Sequence, residues 1–410
     1  MSNDVRLLVG GREIRPKKYE IQRNVFTQPC AFSFTIGDAK TAVELVNSVP
    51  PNEKFELYID ETLVFVGLTD GVTSQGAAGQ GTELSIRGRD MMSPLLGACA
   101  QSEETLTEIT YAELAEHALK AVLGEGAGFA LIHTNDANRK AVTAAKAPTS
   151  SRSAQARALG TEVLIAIAAG GTGGVVAPAA SASPTPPAQA PSRTIKIALG
   201  EAWYQGVLKP EFDRAGLNMM ATGDGNYFLG APDTTQHPSL KLVRRLSTDD
   251  GPSNILAHDF AFETTSRHSS YAVNFRSGGG STPRKGAGGS IDDEEMRVLG
   301  IRRPWVAKDE KIKTVGQADQ YVRRKMCDER RSGFSLAYTI RGHSVPGPSG
   351  EDIIPAPDTT VEVDDDELDI HTTMYVEAVQ MTGFPQLTRL TVCRLSDILN
   401  ATPEDGFTSE

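Results

Sequence analysis

A chain of 410 residues is too long for one ordinary domain, so its length predicts two to four domains. The net charge is −11, with 52 acidic residues against 41 lysines and arginines, and the lack of a basic tract argues against a specific nucleic-acid binder. With 39 glycines, 23 prolines and 6% aromatic residues, the composition excludes collagen, a coiled coil and wholesale disorder, and it favours many strands joined by tight turns.

The first hundred residues are rich in strand signals. Val5–Val9 runs into a Gly10-Gly11 turn, and Ala31–Ile36 alternates apolar and polar side chains with period two. The other predicted strands cover residues 19–23, 55–59, 63–66, 69–74 and 83–87. So many short antiparallel strands predict a small barrel or sandwich, and we assign residues 1–100 to a first, tube-like β-barrel domain.

Helical signals appear next. Thr110 and Glu113 have the spacing of a capping box, and the apolar stripe that follows ends at Gly124. The other elements predicted here are a strand at 194–199, a helix at 201–215 that Pro210 must kink or split, and a hairpin of 217–222 with 226–229. Residues 101–240 are therefore predicted to form an α+β middle domain.

An uncharged Ala/Gly/Pro-rich segment lies inside this middle domain, at residues 163–192. Four glycines interrupt it and it runs into a proline-rich tail. A membrane helix needs about 20 continuous apolar residues. We therefore expect a flexible linker and no membrane span.

The last third of the chain returns to strands. The predicted strands are 255–262, 271–275, 334–340, 360–363, 374–379 and 387–393. One helix interrupts them, with a capping pair at Thr314 and Gln317 and an end at Gly333, and a glycine-rich loop at 277–290 precedes it. We assign residues 241–276 plus 333–400 to a second tube-like β-barrel domain, and residues 277–332 to an inserted loop and helix.

The two strand-rich regions share an order of motifs. Four pairs match: Phe32-Ser-Phe34 with Phe334-Ser-Leu336, Glu56-Leu-Tyr-Ile-Asp60 with Glu362-Val-Asp-Asp-Asp366, Leu63-Val-Phe-Val66 with Thr373-Met-Tyr-Val376, and Glu83-Leu-Ser-Ile-Arg87 with Arg389-Leu-Thr-Val-Cys393. Their offsets of 302, 306, 310 and 306 are nearly constant. The predicted fold class is α+β, mainly β: two similar small antiparallel β-barrels from an internal duplication, joined by α+β insert domains.

Dispersed motifs cover most of the chain. They are Leu63 to Asp70, Gly88-Arg89-Asp90 with Cys99-Ala100, Gly200-Glu201-Ala202-Trp203, Gly225-Asn226 to Leu229, Ser253-Asn254-Ile255-Leu256, Ser266-Arg267 with Tyr271, Val322-Arg323-Arg324 with Gly333-Phe334, and Tyr338 to Gly342. Together they resemble the baseplate hub proteins of contractile-tailed phages, the Mu-like tail hub family, which is related to the T-even hub and to the hub part of type VI secretion spike proteins. Ala202 departs from the family's hydroxyl residue, which weakens a helix cap.

The resemblance implies a homotrimer in which each subunit contributes two barrels. Six barrels in a ring would adapt the six-fold tail tube to the three-fold central spike, and a trimer of two-copy chains mimics a hexamer. The implied partners are the chain itself, the tail tube protein and the central spike protein, with the tape measure protein and neighbouring baseplate proteins as further candidates. The implied location is the virion tail baseplate, assembled in the host cytoplasm. DNA would pass through the ring without specific binding.

Two alternatives to a phage hub stay open. One is the hub of a bacterial contractile injection or secretion system, which only genomic neighbours would distinguish from a phage hub. The other is a cell-wall-degrading or glycan-binding tail protein. Hydrolysis of glycans needs a carboxylate pair in a cleft, and glycan binding needs an aromatic platform. The sequence shows neither convincingly.

No catalytic, cofactor-binding or metal-binding residues are predicted, and the chain is interpreted as not an enzyme. His258-Asp259, His268, Ser269 and Ser270 are interpreted as ordinary strand polarity, because no nucleophile elbow or third orienting group accompanies them. Gly124-x-Gly126-x-Gly128 ends a helix instead of starting one, so it is not a dinucleotide-binding loop.

Two charged runs have several interpretations. The run Asp364 to Glu367, with Asp369, is read as a solvated turn, with a calcium site or an acidic channel lining as alternatives. The basic run 323–325, with Arg330 and Arg331, is read as an exposed, salt-bridged helix face, with contact to an acidic neighbour as the alternative.

The four cysteines are scattered, without a C-x-x-C pair. This pattern is neither a disulfide framework nor a zinc site, so folding in a reducing cytoplasm is expected. The N-terminal residues lack the apolar core of a signal peptide. Trp203 and Trp305 are expected to be core or interface anchors.

Overall fold

The computed structural model describes residues 3–36, 52–77, 81–107, 109–125, 130–132, 194–247, 251–275, 288–312, 315–347 and 351–398. Within these residues the fold is mainly β, with a few helices. The predicted flexible segment 163–192, the capping residue Thr314 and Gly126 and Gly128 lie outside the described residues, as does the part of the glycine-rich loop before residue 288.

Seven strands form the N-terminal region. They are β1 (Val5–Val9), β2 (Arg12–Ile14), β3 (Lys18–Asn24), β4 (Ala31–Ile36), β5 (Lys54–Ile59), β6 (Thr62–Ala77) and β7 (Gly81–Asp90). β1, β4 and β5 bury every second side chain, as their period-two patterns predict. The strands predicted at 63–66 and 69–74 are one strand, β6, because the chain passes through a β-bulge between Thr69 and Gly71 and makes no turn there.

The middle region is α+β. Its elements are α1 (Ser93–Gly97), β8 (Glu104–Thr107), α2 (Tyr111–Leu123), β9 (Leu131–Ile132), β10 (Thr194–Ile197), a π-helical turn (Trp203–Leu208), α3 (Lys209–Ala215), β11 (Asn218–Ala221) and β12 (Tyr227–Gly230). The capping box at the start of α2 is confirmed: the Thr110 hydroxyl accepts from the Glu113 N–H at 3.2 Å, and the Glu113 carboxylate accepts from the Thr110 N–H at 2.8 Å. Pro210 lies in the first turn of α3, so the helix predicted at 201–215 is split.

The remaining elements follow in chain order. They are β13 (Leu240–Arg244), β14 (Ile255–Phe262), β15 (Ser270–Asn274), β16 (Gly288–Asp292), α4 (Glu294–Val298), β17 (Pro304–Lys308), α5 (Val315–Gly333), β18 (Phe334–Arg341), β19 (Val345–Pro346), β20 (Asp352–Ile353), β21 (Thr359–Asp365), β22 (Ile370–Thr382), β23 (Leu387–Arg394) and a 3-10 turn (Leu395–Asp397). Between β14 and β18 the sequence predicted one strand and one helix, and the structure adds β16, α4 and β17. Those three are five residues each, too short for a clear periodicity.

One large sheet of 13 strands organises the molecule. One half runs β3-β4-β7-β6-β5-β1, and the other runs β14-β18-β23-β22-β21-β13. The halves meet where β22 pairs with β3. In the orders given, neighbouring strands pair antiparallel in both halves, with one exception. β13 lies parallel to β21, whereas β1, at the same place in the first half, lies antiparallel to β5. Among the described strands, no pairing closes either half on itself.

The same irregularity occurs at the same place in each half. β6 has a bulge between Thr69 and Gly71, and β22 has one between Val376 and Ala378. When the bulge of β6 is matched with the bulge of β22, the residue pairs of β5 with β6 can be compared position by position with those of β21 with β22. In this comparison Glu56 corresponds to Glu362, as predicted from the sequence. The other three predicted matches are wrong. Two are displaced by two residues, because alternating strands look alike after a shift of two, and the match of Leu63–Val66 is displaced by three.

The apolar core has four parts. The largest lies within the 13-stranded sheet and takes side chains from both halves, including Phe34 and Tyr338. A second core fills the middle region around Trp203 and Tyr227, and a third packs α5 on the small sheet of β15, β16 and β17, where Trp305 is partly buried. The fourth is smaller and joins residues of β3's end, the middle region and β22.

Candidate assembly surface

The two halves of the sheet are joined by one strand, β22, which pairs with strands of both halves. Up to Val376, one edge of β22 pairs with β21; beyond the bulge at Glu377, the same edge pairs with β3, from Ala378 opposite Asn24 onwards. On the core face of this junction Met381 lies opposite Ile21, and both are buried. The bulge therefore lets one strand edge serve two neighbours in succession.

A buried histidine lies at the junction. The Tyr19 hydroxyl is 2.6 Å from Nε2 of His343, and Nδ1 is 2.9 Å from the hydroxyl of Thr388. Because that hydroxyl donates to the Gly342 carbonyl, it accepts from Nδ1–H, and Nε2 accepts from Tyr19. Burial lowers the pKa of His343 to about 4 and raises the pKa of Tyr19 to about 12. The neutral imidazole therefore links β3 to β23.

The N-terminal segment adds hydrogen bonds across the junction. The Asn3 N–H donates to Gln386 Oε1 at 2.9 Å, and Gln386 Nε2 donates back to the Asn3 carbonyl at 2.7 Å. The Asn3 side chain accepts from the His343 N–H at 2.7 Å and donates to Asp60 at 2.8 Å. The sequence gives no local signal for His343 or Asn3, because the contacts that cross the junction join residues more than 300 positions apart.

Helix α5 is fastened to the bulge of β22. The Arg331 guanidinium donates to Glu377 Oε1 at 2.9 Å and to Asp328 at 3.1 Å, and it lies 3.6 Å from the centre of the Phe26 ring. Arg324 reaches in the other direction, to the Leu217 carbonyl at 3.1 Å and Asn218 at 2.7 Å. The predicted salt bridges are present, but Arg324 and Arg331 do not lie on an exposed face as predicted.

The reason for this difference is where α5 packs. Its basic side faces α3 and β11 on one flank and the sheet on the other, so Arg324 and Arg331 expose only 11% and 14% of their side chains. Arg323 is exposed as predicted. The basic side chains thus join parts of one chain, which charge patterning alone cannot distinguish from a solvated face.

An ion cluster built around a fully buried Arg267–Asp293 pair connects α4 and α5 to β23. Arg267 donates to Asp293 at 2.7 Å, with neither side chain exposed, and Arg330 donates to the other oxygen of Asp293 at 2.8 Å. Glu295 joins Arg267 to Arg394 of β23. Burial tends to raise the pKa of Asp293, but the hydrogen bonds from Arg330 and Arg267 hold it below its usual value. Such a cluster fixes relative position, since any unpaired member would be a buried charge.

The acidic run forms the turn between β21 and β22. Arg245 donates to Asp364 at 2.5 Å and to Asp366 at 3.0 Å. Hydrogen bonds from Arg245 and His371 hold the pKa of Asp364 below its ordinary range. Asp365 departs from the expected solvated turn: it is buried and accepts from the Glu367 N–H at 2.9 Å. Asp364, Asp366 and His371 are close enough for one ion, but Arg245 and Lys241 already form salt bridges with these carboxylates.

The histidines and serines considered in the sequence do not come together. His258 lies on β14 in the large sheet, 4.0 Å from Glu367. His268 lies between β14 and β15, where Glu329 Oε2 is 2.8 Å from its Nδ1 and also accepts from the Tyr271 hydroxyl at 2.6 Å. The Ser269 hydroxyl oxygen accepts from the Arg303 N–H at 2.8 Å. His268 and Ser269 therefore have structural hydrogen-bond partners.

The strands β2, β13 and β14 and the outer part of β6 each have an edge without a neighbouring strand among the described residues, and two of these edges carry features that suit association. One is the outer edge of β14, where Leu256, Phe260 and Phe262 are 48%, 49% and 47% exposed. The other is the edge of β6 beyond its bulge, residues 71–77, which pairs with β7 on one side only. Open edges with apolar side chains are sites of association. Among the helices that the structure describes, none has the length and apolar character to cross a bilayer.

The comparisons with known proteins agree with this architecture. Residues 4–90, which hold β1 to β7, match the family model for the Mu phage baseplate assembly protein GpP-like, N-terminal. No curated protein matches the chain. The resemblance to baseplate hub proteins of the Mu-like family is confirmed.

Solved structures extend the likeness to almost the whole chain. The tail protein from Neisseria meningitidis MC58 has 19% identity and a TM-score of 0.66, covering 97% of this chain and 98% of its own. The 43 kDa tail protein of prophage MuSo2 from Shewanella oneidensis has 17% identity and a TM-score of 0.66, with coverage of 96% and 99%. The prophage tail protein gp18 from Listeria monocytogenes EGD-e has 9% identity and a TM-score of 0.50, with coverage of 95% and 94%. At these identities, what is shared is the fold.

Proposed function

We propose that this chain is the structural baseplate hub of a contractile phage tail. The observation that carries the proposal is the family match over residues 4–90 on a chain whose whole fold is that of phage tail proteins. Two of the polar groups considered as catalytic candidates, His268 and Ser269, are engaged in structural hydrogen bonds, which favours a role in assembly over turnover.

The hub acts as a homotrimer that adapts the six-fold tail tube to the three-fold central spike. Each chain supplies two copies of one small barrel, first from residues 1–100 and then from 241–276 plus 333–400, with the middle domain 101–240 and the insert 277–332 between and within them. The support is the common strand order and the common bulge of the two halves. Three such chains place six similar units around one axis.

The partners follow from this position. Tail tube protein lies above the ring and spike protein below it, with tape measure and neighbouring baseplate proteins around them. The hub is assembled in the host cytoplasm and retained in the virion baseplate. The net charge of −11 suits a ring that lets DNA pass without holding it, because like charges repel.

The native mass tests the proposal. We expect sedimentation of the purified chain, alone and with the spike protein encoded beside it, to give a particle of three 43.8 kDa chains. A chain that stays monomeric in both samples, or that releases sugars from peptidoglycan, would contradict the hub assignment.

A further inference from the structure

The exposure of Phe260 on β14 has a counterpart in the first half of the sheet. Strand pairing makes β14 equivalent to β3, and it makes Phe260, which lies opposite Leu336, equivalent to Ile21, which lies opposite Phe32. Ile21 is 2% exposed because β22 lies beside it, whereas Phe260 is 49% exposed. Phe260 is therefore a core-facing residue on an edge that has no neighbour among the described strands.

The second open edge has the complementary property. Superposing the bulges makes Val72 and Ser74 of β6 equivalent to Val379 and Met381 of β22. Val379 and Met381 are buried against β3, whereas Ser74 is exposed and Val72 is only partly buried. The outer half of β6 thus resembles the part of β22 that pairs with β3, but no described strand pairs with it at that edge.

We propose that β14 of one protomer pairs antiparallel with residues 71–75 of β6 in a second copy of the chain, in the register of the β3–β22 junction. Phe262 then lies opposite Val72, Phe260 opposite Ser74, and Ala261 opposite Thr73. The inference rests on the proposed homotrimer and specifies its contact.

The occupant is a second copy of this chain because the chain already contains the template. The β22–β3 junction shows that a bulged strand of this design accepts the first strand of the other half on its outer edge. A protomer carries one donor edge, β14, and one acceptor edge, β6. A contact between two different edges repeats around a rotation axis and closes into a ring. The contacts between chains then alternate with equivalent contacts within chains.

Disulfide crosslinking tests the register. Thr73 and Ala261 lie on the face opposite Phe260, so cysteines there leave the core unchanged. Paired Cα atoms in antiparallel strands are about 4.5–5.5 Å apart, within the range of a disulfide. Thr73→Cys and Ala261→Cys are made as separate full-length chains in a Cys99→Ser background, since Cys99 is the exposed cysteine among those described. Oxidation of the mixture is expected to give a two-chain band on non-reducing gels.

Two controls bracket this result. Gln22→Cys with Gln380→Cys in one chain is the equivalent pair inside the protomer and is expected to close within the chain. Ala257→Cys replaces Ala261→Cys on the same face four residues away, and it is expected to crosslink to Thr73→Cys roughly tenfold less. Equal crosslinking at both positions would overturn the register.

A second variant measures the apolar contribution without cysteines. Phe260→Ser is expected to weaken assembly by roughly 30-fold or more and to lower the melting temperature of the monomer only slightly, because Phe260 is half exposed in one chain and packs there on Phe334 alone among the described rings. Leu299→Ser is the matched control, with 58% exposure away from both edges. Trimers that form without the Thr73–Ala261 crosslink would overturn this pairing and leave the hub assignment intact. Monomers in every sample, with no crosslink, would overturn both.

Discussion

The Tyr19 hydroxyl and Nε2 of His343 lie 2.6 Å apart, although 324 positions separate the two residues in the chain. The contact joins β3 of the first half to the loop after β18 of the second, and its donor and acceptor roles require a neutral imidazole. A charged imidazole would have a proton on both nitrogens, so the Tyr19 hydroxyl would have to change from donor to acceptor, and the charge would be buried without a salt-bridge partner. The stability of the junction is therefore coupled to proton binding.

Acid should weaken the junction through His343. The pKa of His343 is about 4 in the fold and about 6.5 in an unfolded chain, so only the unfolded chain binds the proton between these values. The contribution is complete above pH 6.5 and is lost as the pH falls towards 4, by about 3 kcal/mol. We expect urea titrations from pH 7.5 to 4.5 to show this loss in the wild-type chain relative to His343→Gln.

The control for this experiment is an exposed histidine. His237→Gln should leave the pH dependence of the wild type unchanged, because the side chain is exposed. Tyr19→Phe should destabilise the fold at every pH by leaving Nε2 without its donor. A stability difference between wild type and His343→Gln that is constant over the pH range would contradict the neutral, buried assignment.

Asp90 should have the opposite dependence. It is buried at the end of β7, accepts from the Cys30 N–H at 3.0 Å and the Met92 N–H at 3.1 Å, and burial raises its pKa to about 6. Because the folded chain holds this proton more tightly than the unfolded chain does, the contribution of Asp90 to stability is complete below about pH 4. It declines by about 3 kcal/mol as the pH rises to 6. Relative to Asp90→Asn, wild type should become less stable across this range in the same titrations.

The control for Asp90 is Asp70→Asn, which changes a partly exposed carboxylate in the neighbouring strand. Its stability difference from wild type should not follow the same curve. The opposite signs of Asp90 and His343 also imply a partial cancellation between pH 4 and 6 in the wild type. A pH dependence that Asp90→Asn leaves unaltered would show that the carboxyl is not held in its protonated form.

Much of the strand framework is predictable from sequence, whereas the junction is not. Ala31–Ile36 and Ile255–Phe262 have the bounds that their patterns predict, because alternation and turn residues are local properties. His343 carries no local signal, since its partners come from distant strands. The burial of Arg324 and Arg331 is likewise a tertiary property that a salt-bridged helix pattern does not contain.

Arg331 is expected to be essential for holding α5 on the sheet. Arg331→Ala leaves the Glu377 carboxylate largely buried without its donor and removes the contact with Phe26. We expect a loss of roughly 2–3 kcal/mol in the free energy of unfolding. Arg323→Ala, at an exposed position of the same helix, should change it by less than about 0.5 kcal/mol. A double-mutant cycle with Glu377→Gln measures the pair, and simple additivity would contradict their coupling.

Gly88 marks a difference between the two halves of the sheet. A Cβ at this position would lie 2.2 Å from the Leu68 carbonyl oxygen and 2.4 Å from the Phe32 ring, whose centre is 3.6 Å from that of Phe55. The equivalent position in the second half is Val392, which has no such aromatic stack beside it. The glycine therefore makes room for the rings of the first half only.

Gly88→Ala should accordingly cost about 3 kcal/mol, because both the backbone carbonyl and a core ring would have to move. Gly97→Ala is the matched control: its Cβ would meet nothing within 4 Å, and the helical position α1 favours alanine. Thermal unfolding of both variants measures the difference. Equal melting temperatures would mean that the Phe32–Phe55 stack can shift without cost, and that the close approach of β6 and β7 does not depend on glycine.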